Sequence, residues 1–109
     1  MTTLTRPPTD AVFHAIADPT RREILTLLRS SQRTVGDIAG NFRTSRPAIS
    51  KHLRVLRTAG LITTRQAGTS TICNLNAEPL RAVNVWLRDY ETLWGESLRN
   101  LKSYVEENQ

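Results

Sequence analysis

Apolar positions recur at helical spacing through most of the chain and give way to a β-prone pattern only in the middle. Val12, Phe13 and Ile16 mark a short first helix that Asp10 can start. Asp18-Pro19 ends it and opens a second, because Asp is a good N-cap and Pro suits the first helical position, where its missing N–H costs nothing. Ile24, Leu25, Leu27 and Leu28 form the buried stripe of that second helix, which runs to Arg29-Ser30. Thr34 caps a very short third helix holding Val35, Ile38 and Ala39, closed by Gly40-Asn41. Thr44 or Ser45 caps a fourth, with Pro47 in its first turn and Gly60 at its end.

Leu61 to Arg65 and Thr71 to Leu75 are runs rich in Thr and Ile, joined by Gln66-Ala67-Gly68-Thr69-Ser70, and read as a hairpin. A helix, a tight turn, a second helix and then a hairpin describe a winged helix-turn-helix. The expected fold class is therefore mainly α with a small β-hairpin wing. After Glu78-Pro79, the residues Leu80, Val83, Leu87, Tyr90, Trp94, Leu98, Leu101 and Val105 follow at intervals of three or four. They predict one long C-terminal helix of about 40 Å. The body before it is too small to cover the whole stripe, so part of it is expected to meet a second subunit. Trp86 and Leu93 lie off this seam and are expected to pack on the chain's own core, while Gly95 either kinks the helix or lets two backbones approach. The domain reading is a flexible tail over 1–9, a winged helix-turn-helix over 10–76 and a dimerisation helix over 77–109 within the same domain.

Charge adds a destination to this fold. The forty residues between Asp37 and Glu78 contain no Asp or Glu. Residues 1–75 hold eleven Arg/Lys against four Asp/Glu, or +7, and residues 76–109 hold four against six, or −2, giving the chain's +5. On a wheel of about 100° per residue, Arg46, Pro47, Ser50, Lys51, Arg54, Arg57 and Thr58 fill one arc of the fourth helix. Ala48, Ile49, His52, Leu53, Val55, Leu56 and Ala59 fill the other. Solubilising faces intersperse both signs, whereas a surface that excludes one sign is suited to a polyanion. The same fold also serves as a protein-interaction module, a reading the acid-free window opposes.

Two stretches, Val12-Phe13-His14-Ala15-Ile16-Ala17-Asp18-Pro19-Thr20-Arg21-Arg22-Glu23-Ile24-Leu25 and Ser45-Arg46-Pro47-Ala48-Ile49-Ser50-Lys51-His52-Leu53-Arg54-Val55-Leu56-Arg57-Thr58-Ala59-Gly60-Leu61, resemble the ArsR family of bacterial winged-helix repressors. The likeness extends loosely from residue 10 to about 105. It implies a homodimer that holds a palindromic double-stranded DNA operator through two recognition helices. The first and last helices would form the interface, through Val12, Phe13, Ile16, Val83, Leu87, Tyr90, Trp94, Leu98, Leu101 and Val105. Base reading would fall to Arg46, Ser50 and Lys51, a bidentate Arg–guanine contact being worth about 1–3 kcal/mol of discrimination. Arg43, Thr44, Ser45, Arg54, Arg57 and Arg65 would hold phosphates, which fix register. Arg21 and Arg22 reach either phosphate or surface ion pairs.

The chain departs from the family's metal-sensing pattern. Val35-Gly36-Asp37-Ile38, where a cysteine pair would fall, has no thiolate, and the last helix carries Asp89, Glu91 and Glu96 without a histidine. No metal and no cofactor are expected. His14 and His52 read as structural histidines, and Cys73 as a small core side chain; one cysteine excludes an internal disulfide. The wing tip, Gly68-Thr69-Ser70, lacks the arginines common in relatives and leaves Arg65 as the wing's main cation. Trp86, Tyr90, Trp94 and Tyr104 line either a plain interface or a small apolar effector pocket. No nucleophile–base pairing, phosphate-binding glycine loop or metal set points to an enzyme. Without a signal-peptide-like or membrane-length apolar run, the protein is expected to be cytoplasmic.

Overall fold

The computed structural model describes the backbone of residues 7–107, with side-chain surroundings for residues 10–95, 105 and 106. Its order is α1 (Pro7–Ile16), α2 (Pro19–Ser30), β1 (Arg33–Thr34), α3 (Val35–Ala39), α4 (Arg46–Thr58), β2 (Ile62–Ala67), β3 (Ser70–Leu75), a 3-10 turn (Glu78–Leu80) and α5 (Arg81–Glu107).

Helix boundaries follow the caps. Asp18 accepts the Arg21 N–H at 3.0 Å and opens α2. Thr34 and Asp37 form a reciprocal capping box around α3, which stabilises a helix otherwise too short to persist. Ser45, of the two candidates, caps α4 by accepting the Ala48 N–H at 3.3 Å. At the other end Gly60 takes φ +78°, the Gly60 N–H reaches the Arg57 carbonyl and the Leu61 N–H the Leu56 carbonyl, the bonds of a Schellman motif. One boundary differs from expectation. The first helix begins at Pro7, not Asp10, because both prolines fall in a first turn whose N–H groups have no intrahelical partner. Residues 7–9 of the expected tail are thus helical, and residues 1–6 lie outside the described residues.

The wing is larger than a hairpin. β1 joins it, giving an antiparallel sheet in the order β1-β3-β2, with Arg33 opposite Cys73 and Thr34 opposite Ile72. β2 and β3 also run further than expected, pairing Ala67 with Ser70 around the two-residue turn Gly68-Thr69. Gly68 has φ +64° and, among the described residues, no non-glycine has positive φ, the pattern of a II′ turn. Asn76 then ties the wing's exit to the end of α4, donating from its side chain to the Gly60 carbonyl at 2.8 Å.

All four helices of the N-terminal body and the base of the sheet share one core. Ile24 and Leu28 of α2, Ile38 of α3 and Ile49, Leu53 and Leu56 of α4 meet Val12, Ala15, Leu61, Ile62 and Cys73. Burying each large side chain stabilises the fold by about 1.5–3 kcal/mol. Val12 is 2% exposed inside the protomer and has no surface left for a second subunit. Its helical spacing marked it as apolar without saying which neighbour covers it.

The long helix stands apart from that core. It continues through Gly95 without a break. Val83 and Leu87 are half-buried, and Val83 packs against the core cluster, but Leu93 is 59% exposed and Trp94 49%. Leu93 therefore does not pack on the chain's own core as expected. Trp86 is 49% exposed, meets Phe13 of α1 edge to face at 5.5 Å and stands 5.3 Å from Tyr90. The side chains of Leu98, Leu101 and Tyr104 lie outside the described residues. No described helix is long and apolar enough to cross a membrane.

Candidate nucleic-acid interface

Both expected arcs of α4 are present. Arg46, Pro47, Ser50, Lys51, Arg54, Arg57 and Thr58 are exposed, while Ile49, Leu53, Leu56 and Ala59 are buried and Ala48, His52 and Val55 are half-buried. Arg43, Thr44 and Ser45 are exposed on the approach to the helix. The N-terminal end of α4, with its partial positive charge, thus carries Arg46 beside it and no acid in its first turn.

Between α4 and the wing lies a groove of about 240 Å³. Ser50, Arg54 and Arg57 line it from the helix, and Thr64 and Thr71 from the sheet. Val35 and Leu53 add apolar surface at its base, its polar side chains are cationic or hydroxylic, and no carboxylate lines it. Cys73 closes the floor and is fully buried. Burial pushes its thiol pKa up, and the Arg57 guanidinium pulls the other way.

Strand register decides which wing residues face this groove. Thr64 pairs with Cys73 and Gln66 with Thr71, so these four share the face turned toward α4. Arg65 pairs with Ile72 on the opposite face, exposed, with its guanidinium donating to Gln32 Oε1 at 3.5 Å. The structure thus brings Ser50, Arg54 and Arg57 together and leaves Arg65 outside their groove. Thr64 and Thr71 escaped the sequence reading. Only the register identifies them, and the expected five-residue connection obscured it.

Among the described residues Arg21 and Arg22 form no ion pair, and both spend donors on the end of α1. Arg21 donates from Nε to the Ala15 carbonyl at 2.7 Å and from Nη2 to the His14 carbonyl at 3.0 Å. Arg22 donates to the Ile16 carbonyl at 2.9 Å. These are carbonyls of the last turn of α1, which the helix itself leaves unpaired. Arg21 also contacts His52 Nδ1 through Nη1 at 3.2 Å, which anchors that histidine within the domain. His14 has an exposed side chain.

A winged helix whose exposed α4 face carries Arg46, Lys51, Arg54 and Arg57 and no acid is the architecture of a nucleic-acid-binding protein. The model of a bacterial regulatory protein family, described as arsR family, matches residues 18–64. The HTH-type transcriptional regulator Rv2034 of Mycobacterium tuberculosis is 35% identical over 97 residues, covering 89% of this chain and 88% of that one. The chain belongs to the ArsR family. As a member of it, the protein is a DNA-binding transcriptional regulator and not an enzyme. The transcriptional repressor SdpR of Bacillus subtilis is 42% identical over 79 residues, or 72% of this chain and 88% of its own. An ArsR family transcriptional regulator of known crystal structure matches with a TM-score of 0.74 at 34% identity, covering 85% of this chain and 97% of the other. The long C-terminal helix and the wing are thus features of an ArsR fold.

Proposed function

We propose that this ArsR protein is a repressor that binds a palindromic operator as a homodimer, with α4 of each chain in a major groove. The groove between α4 and the wing carries this reading. A phosphate strand is held by cations and hydroxyls and repelled by carboxylates, and the groove offers Arg54, Arg57 and Ser50 from the helix and Thr64 and Thr71 from the sheet, with no carboxylate. Arg46, Ser50 and Lys51 read base edges. Arg43, Thr44, Ser45, Arg54 and Arg57 hold phosphates, joined by Thr64 and Thr71, and Arg65 contributes from the wing's outer face. Homodimerisation is supported by the apolar surface of α5, where Trp86, Tyr90, Leu93, Trp94 and Val105 are exposed large side chains. Phe13 and Ile16 of α1 and Val83 and Leu87 of α5 border it, with Leu98 and Leu101 further along the same helix. A bacterial transcriptional regulator works where the DNA is, which supports a cytoplasmic location.

Binding to duplexes from the protein's own promoter region tests this. Arg46→Ala is expected to relax sequence preference by about 1–3 kcal/mol at one base pair. Arg54→Ala is expected to weaken binding to all sequences alike and to make the salt dependence shallower by about 0.9 in log–log slope. Wild-type affinity indifferent to salt would sink the reading, and equal loss of specificity in both variants would reverse the assigned roles.

A further inference from the structure

The guanidinium of Arg21 is held in three directions at once. Two of its donors close the last turn of α1 on the Ala15 and His14 carbonyls, and the third reaches Nδ1 of His52, half-buried on the inner side of α4. An arginine N–H only donates, so Nδ1 must be the unprotonated, accepting nitrogen of the ring. Asp18, which caps α2 at the same corner, faces that nitrogen from 3.9 Å. Guanidinium is planar and its donors form a rigid fork, so α4 cannot turn against α1 without lifting the fork from one set of acceptors. One side chain from α2 therefore couples the helix that carries Arg46 to the helix that carries Phe13.

We propose that Arg21 and His52 form the joint that fixes the angle of α4 against α1, and thereby the separation of the two recognition helices in the dimer. The proposal rests on the reading of the chain as an operator-binding homodimer, and makes Arg21 and His52 positioning residues for half-site spacing. Half-site spacing mirrors the distance between recognition helices, so an angular change at the joint appears as a changed preference for spacing. Contacts made by each α4 within its own half-site do not pass through the joint.

The test uses the full chain with duplexes carrying two half-sites at graded separations, and a duplex carrying one. Wild type is expected to prefer one separation. His52→Leu and Arg21→Lys are expected to bind that duplex about tenfold more weakly, equivalent to ~1.4 kcal/mol, and to spread their preference over neighbouring separations. Their affinity for the single half-site, and its salt slope, are expected to stay as in wild type. His52→Asn, whose Oδ1 takes the place of the accepting Nδ1, is expected to restore the narrow preference. Unchanged spacing preference in His52→Leu overturns the joint. So does an equal loss on one and two half-sites, which would make the pair DNA contacts or plain supports of the fold. A wild type without salt-dependent DNA binding would instead overturn the operator-binding reading, and the joint's role with it.

Discussion

Asp18 is shared between two elements. Its carboxylate accepts the Arg21 backbone N–H that begins α2 and lies 3.9 Å from His52 of α4. The backbone hydrogen bond lowers its pKa most; desolvation opposes this, and positive charge nearby, the Arg21 guanidinium included, adds to the lowering, leaving a net depression. A depressed folded value means the charged form contributes stability that is complete above the ordinary aspartate range. That contribution is lost as pH falls through the range toward the folded value. Asp18→Asn keeps a capping oxygen and removes the charge. The variant is expected to melt lower than wild type at neutral pH, with the gap narrowing on acidification. Melting curves at a series of pH values that run parallel for the two proteins would contradict this account.

The elements owe their ends to single residues, and Gly60 has the most to lose. At φ +78° a Cβ is strained by about 1–2 kcal/mol, while the nearest atom it would meet, Pro79 Cγ at 3.5 Å, is at ordinary contact distance. Gly60→Ala is expected to lower stability by that strain alone, read as a lower urea midpoint with unchanged slope. Such local signals also set how far the elements are legible in the sequence. α2, α3 and α4 were readable because Asp18, Thr34, Ser45 and Gly60 are local signals that act on their own backbone neighbours. β1 was not, because Arg33 and Thr34 become a strand only by pairing with residues some forty positions away, opposite Cys73 and Ile72. Thr64 and Thr71 were hidden for a related reason, since a one-residue change of register moves a side chain to the other face. Leu93 and Val12 show a different limit. Periodicity identifies an apolar position, but only packing tells whether it faces the chain's own core or is left outside it.

Across the whole molecule, charge and apolar surface are segregated. The basic residues cluster at α4 and its approach, and the exposed aromatic surface lies along α5, beyond the acid-free window. Leu93→Glu, placing a charge on a residue that is 59% exposed, is therefore expected to leave the fold of each chain intact and to separate the proposed dimer. Sedimentation and circular dichroism measure the two effects independently, and a dimer that survives the substitution would remove α5 from the interface. Helix content lost together with the dimer would instead make the two inseparable.

The groove beside α4 carries a kinetic consequence as well. A lining that holds cations and hydroxyls but no carboxylate meets every phosphate of a duplex with the same sign, whatever the base sequence. Such a protein can stay loosely engaged while it slides and hops along the duplex, and so search in one dimension before its bases are read. The rate of arrival at the operator is expected to rise as flanking duplex is lengthened at low salt, and the gain to vanish at high salt. Association rates that ignore flank length at low salt would count against this mode of search.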